Sequence, residues 1–131
     1  MEKKAKQVIV MRKDLNMRKG KMVTQGSHAS LGAYLLIVDS QDQQPVPYRP
    51  AVYEAWLAWI TGTFTKVCVG VEDESELLNV YNEAIAAKLP AKLVVDAGHT
   101  EFHGVPTRTC LAIGPAWEDE VDAITSKLKL L

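Results

Sequence analysis

The segment from residue 17 to residue 36, MRKGKMVTQGSHASLGAYLL, places three cations, Arg18, Lys19 and Lys21, at the start of a predicted helix. The unpaired N–H groups of a helix start already carry about half a positive charge, so acidic residues are usual there. Added lysines therefore predict a site for a phosphate or a developing oxyanion, and Gly20 would let that ligand approach closely. The alternative is that the cations point into water and repel one another only weakly.

Further along the same predicted helix, Lys21, Gln25 and His28 are spaced at i, i+4 and i+7, so they share one face. Asp96 ends the apolar run KLVV, at the kind of strand end where α/β sheets commonly place functional side chains. Two plainer interpretations remain open at this point. The helical residues could form a solvated polar stripe, and Asp96 could cap the following turn.

The three histidines could in principle bind a metal together with Asp96. However, His99 and His103 form an H-x3-H pair in a loop between predicted strands rather than on a helix face, so no zinc site is predicted. The sequence contains no G-x-S-x-G elbow, Walker A loop or G-x-G-x-x-G fingerprint. We therefore expect neither a bound metal nor a cofactor.

Cysteine and hydropathy patterns indicate the compartment. Cys68 and Cys110 each lie inside an apolar run, which predicts small buried hydrophobes rather than a disulfide or a nucleophile. No apolar stretch approaches the ~18 residues of a membrane span, and MEKKAKQ lacks the features of a signal peptide. We expect a cytoplasmic protein with no membrane partner.

The net charge is only −1, but the charges are unevenly distributed. Residues 1–21 hold eight of the fifteen Lys and Arg against two acids, a balance of +6, and the rest of the chain has a balance of −7. Such asymmetry predicts one basic face that could meet an acidic polymer. We assign this function to residues 12–21 and expect residues 1–6 to be a flexible, lysine-rich tail.

The elements that must position these residues follow from apolar periodicity and turn chemistry. A chain of 131 residues predicts one domain, 1–131, in which the Pro- and Gln-rich residues 39–50 connect two helices. The order β-α-α-β-α-β-β-α predicts an α/β fold, a single three-layer domain with a four-stranded mixed sheet and helices on both faces. The predicted strands are Gln7 to Arg12, Phe64 to Val71, Ala91 to Gly98 and Thr107 to Pro115, and the predicted helices are Lys19 to Val38, Pro50 to Gly62, the segment from the capping box DESE (73–76) to Pro90, and Ala116 to Lys127.

Four motifs occur in a fixed order: R-x-D-L, K-G-K-x-x-x-Q-x-S-H-A, D-A-G-x-T and I-G-P. Together they resemble the archaeal and eukaryotic-type peptidyl-tRNA hydrolases from about Gln7 to the C-terminus. The resemblance implies a compact four-stranded mixed sheet, commonly dimeric, that cleaves the ester between peptide and tRNA without a metal. Carried over residue by residue, it assigns functional positions to Lys19, Lys21, Gln25, His28, Asp96, Thr100 and Thr109.

We hypothesise that water attacks the ester carbonyl, with Asp96 orienting or deprotonating the water and Lys21 stabilising the oxyanion. Thr100 and Thr109 would hydrogen-bond the water or the ribose, and His28 is the alternative base. Phosphates of the peptidyl-tRNA acceptor end would be held by Arg12, Arg18, Lys19, Gly20 and Gln25. A non-catalytic RNA-binding or protein-interaction module, and a metal-dependent hydrolase using His99 and His103, are the competing interpretations.

Overall fold

The computed structural model describes residues 3–131, so the part of the predicted tail formed by Met1 and Glu2 lies outside the described residues. The chain forms a mixed α/β fold in which helices alternate with the first strands. The elements are β1 (Ala5–Arg12), α1 (Lys19–Ser40), α2 (Pro50–Thr61), β2 (Lys66–Val71), α3 (Glu74–Ala86), β3 (Ala91–Asp96), β4 (Thr107–Trp117), α4 (Glu118–Thr125) and β5 (Lys129–Leu130).

The described residues form one sheet of five strands in the order β3-β4-β1-β2-β5. β1 is parallel to β2 and antiparallel to β4, and β4 is antiparallel to β3. The predicted count of four strands is wrong because β5 adds a short antiparallel edge on β2. Both residues of β5 are exposed, so it carries none of the apolar alternation that signals a strand.

Side chains on the two faces of the sheet pack against different helices, because successive strand residues point to opposite sides. One face packs against the small residues of α1, which lets the helix backbone lie close to the strands. The other face packs against apolar residues of α2, α3 and α4. The first cluster includes Met11, Ala29, Ala33, Cys110 and Ala112; the second includes Val10, Val52, Leu77, Ile113 and Val121.

Element boundaries differ from the prediction at several points. β1 begins at Ala5, and Lys6 pairs with Ala116, so these two residues are strand rather than tail. Phe64 has a positive φ of 58°, which an extended strand does not allow, so β2 begins two residues later. β4 continues to Trp117, and α4 therefore starts later than predicted.

The topology brings several element ends together. Because β1 and β3 are both antiparallel to β4, their last residues lie at the end of the sheet where β4 begins. A loop of residues 13–18 follows β1, so α1 also starts there. Asp96, at the end of β3, and the lysines at the start of α1 therefore lie at the same end of the sheet. No helix within residues 3–131 is both long and apolar enough to cross a membrane.

Candidate functional site

A lysine and a carboxylate pair at the end of the sheet where β3 ends and α1 begins. Lys21 Nζ donates hydrogen bonds to Asp96 Oδ1 at 3.0 Å and to Thr100 Oγ1 at 2.5 Å. The side chains of Lys21 and Asp96 are only 10% and 15% exposed. The structure thus brings together Lys21, Asp96 and Thr100, three of the predicted residues. Asp96 and Thr100 lie 75 and 79 residues along the chain from Lys21.

Asp96 accepts two further hydrogen bonds. Gln25 Nε2 donates to its Oδ1 at 3.1 Å, and the backbone N–H of Gly98 donates to its Oδ2 at 2.9 Å. Burial raises the pKa of Asp96, but the hydrogen bonds from Lys21, Gly98 and Gln25 and the charge of Lys21 outweigh it and lower the pKa below the ordinary value. Asp96 is therefore a carboxylate throughout the neutral pH range.

Thr109 reaches the site through Gln25. Its Oγ1 donates to Gln25 Oε1 at 2.6 Å, and both residues are buried, Thr109 completely. This hydrogen bond fixes which end of the Gln25 amide faces Asp96, because the oxygen is occupied and the nitrogen must point the other way. The Thr109 hydroxyl thereby orients Gln25, while its hydrogen bond to the water or the ribose stays a prediction.

The start of α1 is basic and open, as predicted. Its N-cap residue, Arg18, makes no side-chain cap, and the first turn contains no acidic residue. Arg18 is 89% exposed, with its guanidinium 3.7 Å from Glu101. Lys19 is exposed, and a Cβ added at Gly20 would meet nothing within 4 Å. At the start of α1, the exposed cations therefore lie beside open space next to Gly20.

Arg12 has a different environment from the one predicted for a phosphate-binding residue. Its Nε and Nη2 donate to the carboxylate of Asp14 at 2.9 and 2.7 Å, and its Nη1 donates to the carbonyl of Arg108 at 3.0 Å. The hydrogen bond from Arg12 lowers the pKa of Asp14, and the same bond raises the pKa of Arg12. Arg12 therefore fastens the loop before α1 to β4.

The histidines stand apart from the lysine–carboxylate pair. His28, His99 and His103 are all exposed, and within residues 3–131 no hydrogen bond joins any of them to Lys21 or Asp96. The same part of the chain holds no group of three or more His, Cys, Asp or Glu side chains placed to bind a metal ion. Both His28 and Gln25 lie on α1, and within residues 3–131 no hydrogen bond joins their side chains.

Three residues at the site were not singled out from the sequence. Gly98 supplies the N–H that binds Asp96, the Phe102 ring centroid lies 5.5 Å from Lys21 Nζ, and Glu101 lies beside Arg18. The signal for Gly98 is the D-A-G triplet, since an Asp side chain often accepts from the N–H two residues later. Phe102 and Glu101 carry no comparable local signal, because their roles depend on how the 97–106 loop folds.

A second feature of the described residues is an apolar groove between α1 and β2, with a volume of about 840 Å³. Its lining includes Val23 and Leu31 from α1, Trp59 from α2, Cys68 from β2, and Leu131. Val23 and Leu31 are also exposed, at 67% and 59%. The groove exists because α1 packs on β1, β3 and β4 and leaves the β2 side of the same face uncovered.

The fold and the site define a class of protein. Burial raises the pKa of Cys110 to about 11 and also raises the pKa of Cys68, so both free thiols stay protonated and neither is an activated nucleophile. The polar groups that do converge are a carboxylate, an ammonium and a hydroxyl beside an open basic helix start. Groups of these kinds are the ones that general acid–base and electrostatic catalysis use, and the exposed cations are suited to an anionic ligand, so the class indicated is a hydrolase-like α/β protein without a nucleophilic thiol.

The comparisons with known proteins name the family. Residues 5–131 match the family described as peptidyl-tRNA hydrolase PTH2. The chain is 43% identical over 126 residues to a peptidyl-tRNA hydrolase of Methanocaldococcus jannaschii, covering 96% of this chain and 99% of that one. It is 38% identical over 127 residues to that of Sulfolobus acidocaldarius, with the same shares covered, and 42% identical over 127 residues to that of Aeropyrum pernix, covering 95% and 94%. The chain belongs to the peptidyl-tRNA hydrolase PTH2 family, and its function is peptidyl-tRNA hydrolysis.

Proposed function

We propose that Asp96 and Lys21 carry the hydrolysis of the ester that joins a peptide to the terminal ribose of tRNA. The observation that supports this assignment is the largely buried Lys21–Asp96 pair, in which Lys21 also donates to Thr100. An ammonium has three N–H donors. Asp96 and Thr100 accept from two of them, which leaves the third to donate to the oxygen that becomes negative when water adds to the carbonyl.

Asp96 acts mainly by orienting the attacking water. Its lowered pKa makes it a weak base, so it holds the water by accepting a hydrogen bond rather than by removing a proton fully before attack. Water adds to the carbonyl, the bond from that carbon to the ribose oxygen breaks, the ribose oxygen takes up one proton of the water, and the other proton leaves to the solvent. The products are a free peptide carboxylate and a tRNA. Thr100 presents its hydroxyl to the same space.

The tRNA acceptor end binds at the start of α1. Arg18 and Lys19 are the exposed cations, and Gly20 lets a phosphate approach the helix N–H groups. Contacts of this kind carry no sequence preference, which suits an enzyme acting on many tRNAs. Arg12 contributes by fixing the loop that precedes these residues.

The Kd of uncharged tRNA should rise steeply with salt concentration, and less steeply for Arg18→Ala, because the variant makes one phosphate contact fewer. A salt dependence equal to that of the wild type would remove Arg18 from this role.

The mechanism that we propose needs no metal, because the oxyanion and the water each have a protein group assigned to them. We also propose that the enzyme works in the cytoplasm, where ribosomes produce its substrate, and its two cysteines are free thiols.

The test is release of the blocked amino acid from N-acetyl-aminoacyl-tRNA, measured with and without a chelator. We expect unchanged turnover with chelator, and a loss of about 10² to 10³ in kcat for Lys21→Ala and for Asp96→Asn. Lys127→Ala is the matched control, since Lys127 makes an exposed ion pair with Glu83 far along the chain from the site. Near-wild-type kcat in both site variants would overturn the assignment, and chelator sensitivity would overturn the metal-free mechanism.

We further propose that the protein is a homodimer that assembles through the apolar groove. Val23 and Leu31 lie on the groove wall and on the exposed side of α1, and exposed Leu35 extends the same stripe. A two-fold axis beside α1 would set each stripe against the partner's groove, burying both copies of the same surface at once. Contiguous apolar surfaces of this kind are uncommon on monomers.

A further inference from the structure

β3 forms one edge of the sheet and leads directly to the site. Among the strands of residues 3–131, β3 has β4 on one side and none on the other, and its last residue is Asp96. Within residues 3–131, the backbone groups of residues 91–95 have hydrogen-bond partners only in β4. The outward-facing N–H and C=O groups of this strand are therefore available to an added strand. The other edge, β5, has only two residues and lies across the sheet from Asp96.

Side chains leave the outer edge of β3 open. Lys92 is the only charged residue within the strand before Asp96, and its stem lies over α1, where a Cβ added at Gly32 would come within 2.6 Å of the Lys92 Cγ. Val95 is 57% exposed next to Asp96. Within residues 3–131, an extended chain at this edge would meet backbone groups that have no strand partner on that side.

We propose that the peptide part of the substrate binds as an added parallel strand on the outer edge of β3. This inference rests on the proposed function, in which Asp96 and Lys21 act on the ester. The peptides that such an enzyme must accept share no side-chain pattern, only a backbone, and a sheet edge recognises a backbone while leaving side chains free.

The direction of the added strand follows from the chemistry. The ester lies at the C-terminal end of the peptide, beside Asp96, so the preceding residues extend back toward Ala91. The peptide therefore runs in the same direction as β3. In a parallel pair, alternate residues of the peptide turn their N–H and C=O toward β3, and the intervening residues turn them away. The six residues of β3 span about 20 Å, enough for about six peptide residues.

The test uses the wild-type protein and peptidyl-tRNAs with one to eight alanine residues, N-acetylated at the amino end. We expect kcat/KM to rise with peptide length and to level off at about six residues. A single N-methyl group, moved along a six-residue peptide, should lower kcat/KM about threefold to tenfold at every second position and leave the positions between unchanged. The neighbouring position is the matched control, since it carries the same methyl group.

A second measurement is amide hydrogen exchange with a non-hydrolysable amide-linked analogue. A hexapeptide analogue should slow exchange in residues 91–96, and an analogue with one acetylated amino acid should not. Equal kcat/KM at all lengths, or N-methyl effects without a two-residue period, would overturn the inference while leaving the proposed function intact. No release from N-acetyl-aminoacyl-tRNA would instead overturn the proposed function.

Discussion

At the scale of single residues, the carboxylate of Asp96 accepts from an ammonium, an amide and a backbone N–H. Those donors stabilise the ionised carboxylate and lower its pKa, so Asp96 is a weaker base than an ordinary aspartate. The same three hydrogen bonds hold the carboxylate in one orientation. In the mechanism that we propose, orientation of the water by Asp96 and electrostatic stabilisation by Lys21 are then the main sources of rate.

The pH profile distinguishes Asp96 from His28. Because the pKa of Asp96 is lowered, the carboxylate persists well below neutral pH, so kcat should be constant from pH 8 to pH 5 in a stopped assay of N-acetyl-aminoacyl-tRNA. The stability that its ionised form contributes is likewise present above the unfolded-state pKa of about 3.9 and is lost only as the pH falls through the lower folded-state value. A fall in kcat across this range would contradict the assignment to Asp96, and a loss of kcat in His28→Ala as large as in Asp96→Asn would make His28 the base.

Thr109 is a positioning residue, and its effect can be separated from packing. Thr109→Val removes the donor to Gln25 Oε1 with little change of volume and frees the amide that faces Asp96. We expect kcat to fall about tenfold with KM nearly unchanged, together with about 1 to 3 kcal/mol of lost stability from the unpaired buried oxygen. Thr109→Ser keeps the donor and should restore kcat. A variant that loses stability but keeps kcat would show that the hydroxyl is only structural.

At the scale of elements, the 97–106 loop connects the end of β3 to the start of β4 and delivers Thr100 to Lys21. Gly98 is the residue on which its path depends. Its φ is +87°, and a Cβ there would lie too close to the backbone of Val105. Gly104 N also donates to the carbonyl of Gly98 at 2.8 Å, which closes the loop on itself.

Two glycines of this loop form a matched pair for a test. Gly104 also has a positive φ, +78°, but an added Cβ would meet nothing within 4 Å. Gly104→Ala should therefore cost about 1 kcal/mol of stability and leave kcat unchanged. Gly98→Ala should cost more stability and lower kcat at least tenfold, because the loop must move and carry Thr100 away. Urea unfolding and turnover measure both effects, and equal kcat in the two variants would contradict the role of Gly98.

Local signals predicted the elements well where the chain itself carries the information. The N-cap predicted for residues 73–76 is present, since Asp73 Oδ1 accepts from the N–H of Glu76 at 2.9 Å. The return bond of the capping box is shifted by one residue, because Glu76 Oε2 accepts from the N–H of Glu72. β3 begins at Ala91, as predicted, and ends with the apolar run at Asp96, two residues before the predicted end at Gly98. β5 and the turn at Phe64 escaped prediction because each depends on contacts made elsewhere in the fold.

At the scale of the whole molecule, the site joins parts of the chain that sequence spacing cannot relate. Helical spacing predicts that Lys21 and Gln25 share a face, and the resemblance adds Asp96, Thr100 and Thr109. Neither indicates that the Thr109 hydroxyl donates to Gln25, 84 residues away. Only the antiparallel pairing of β4 with both β1 and β3 brings these ends together.

On the face of the sheet that α1 packs against, the β2 side is left uncovered, and this leads to a prediction about assembly. Wild-type protein should sediment at twice the 14.5 kDa of one chain. Leu31→Glu should shift it to the monomer, because a carboxylate would be buried against the partner's apolar groove without a counter-charge. Leu57→Glu is the control: Leu57 is 56% exposed, nearly the same as Leu31 at 59%, but lies on α2 outside the groove. A wild-type monomer, or equal dissociation in the two variants, would contradict assembly through this groove.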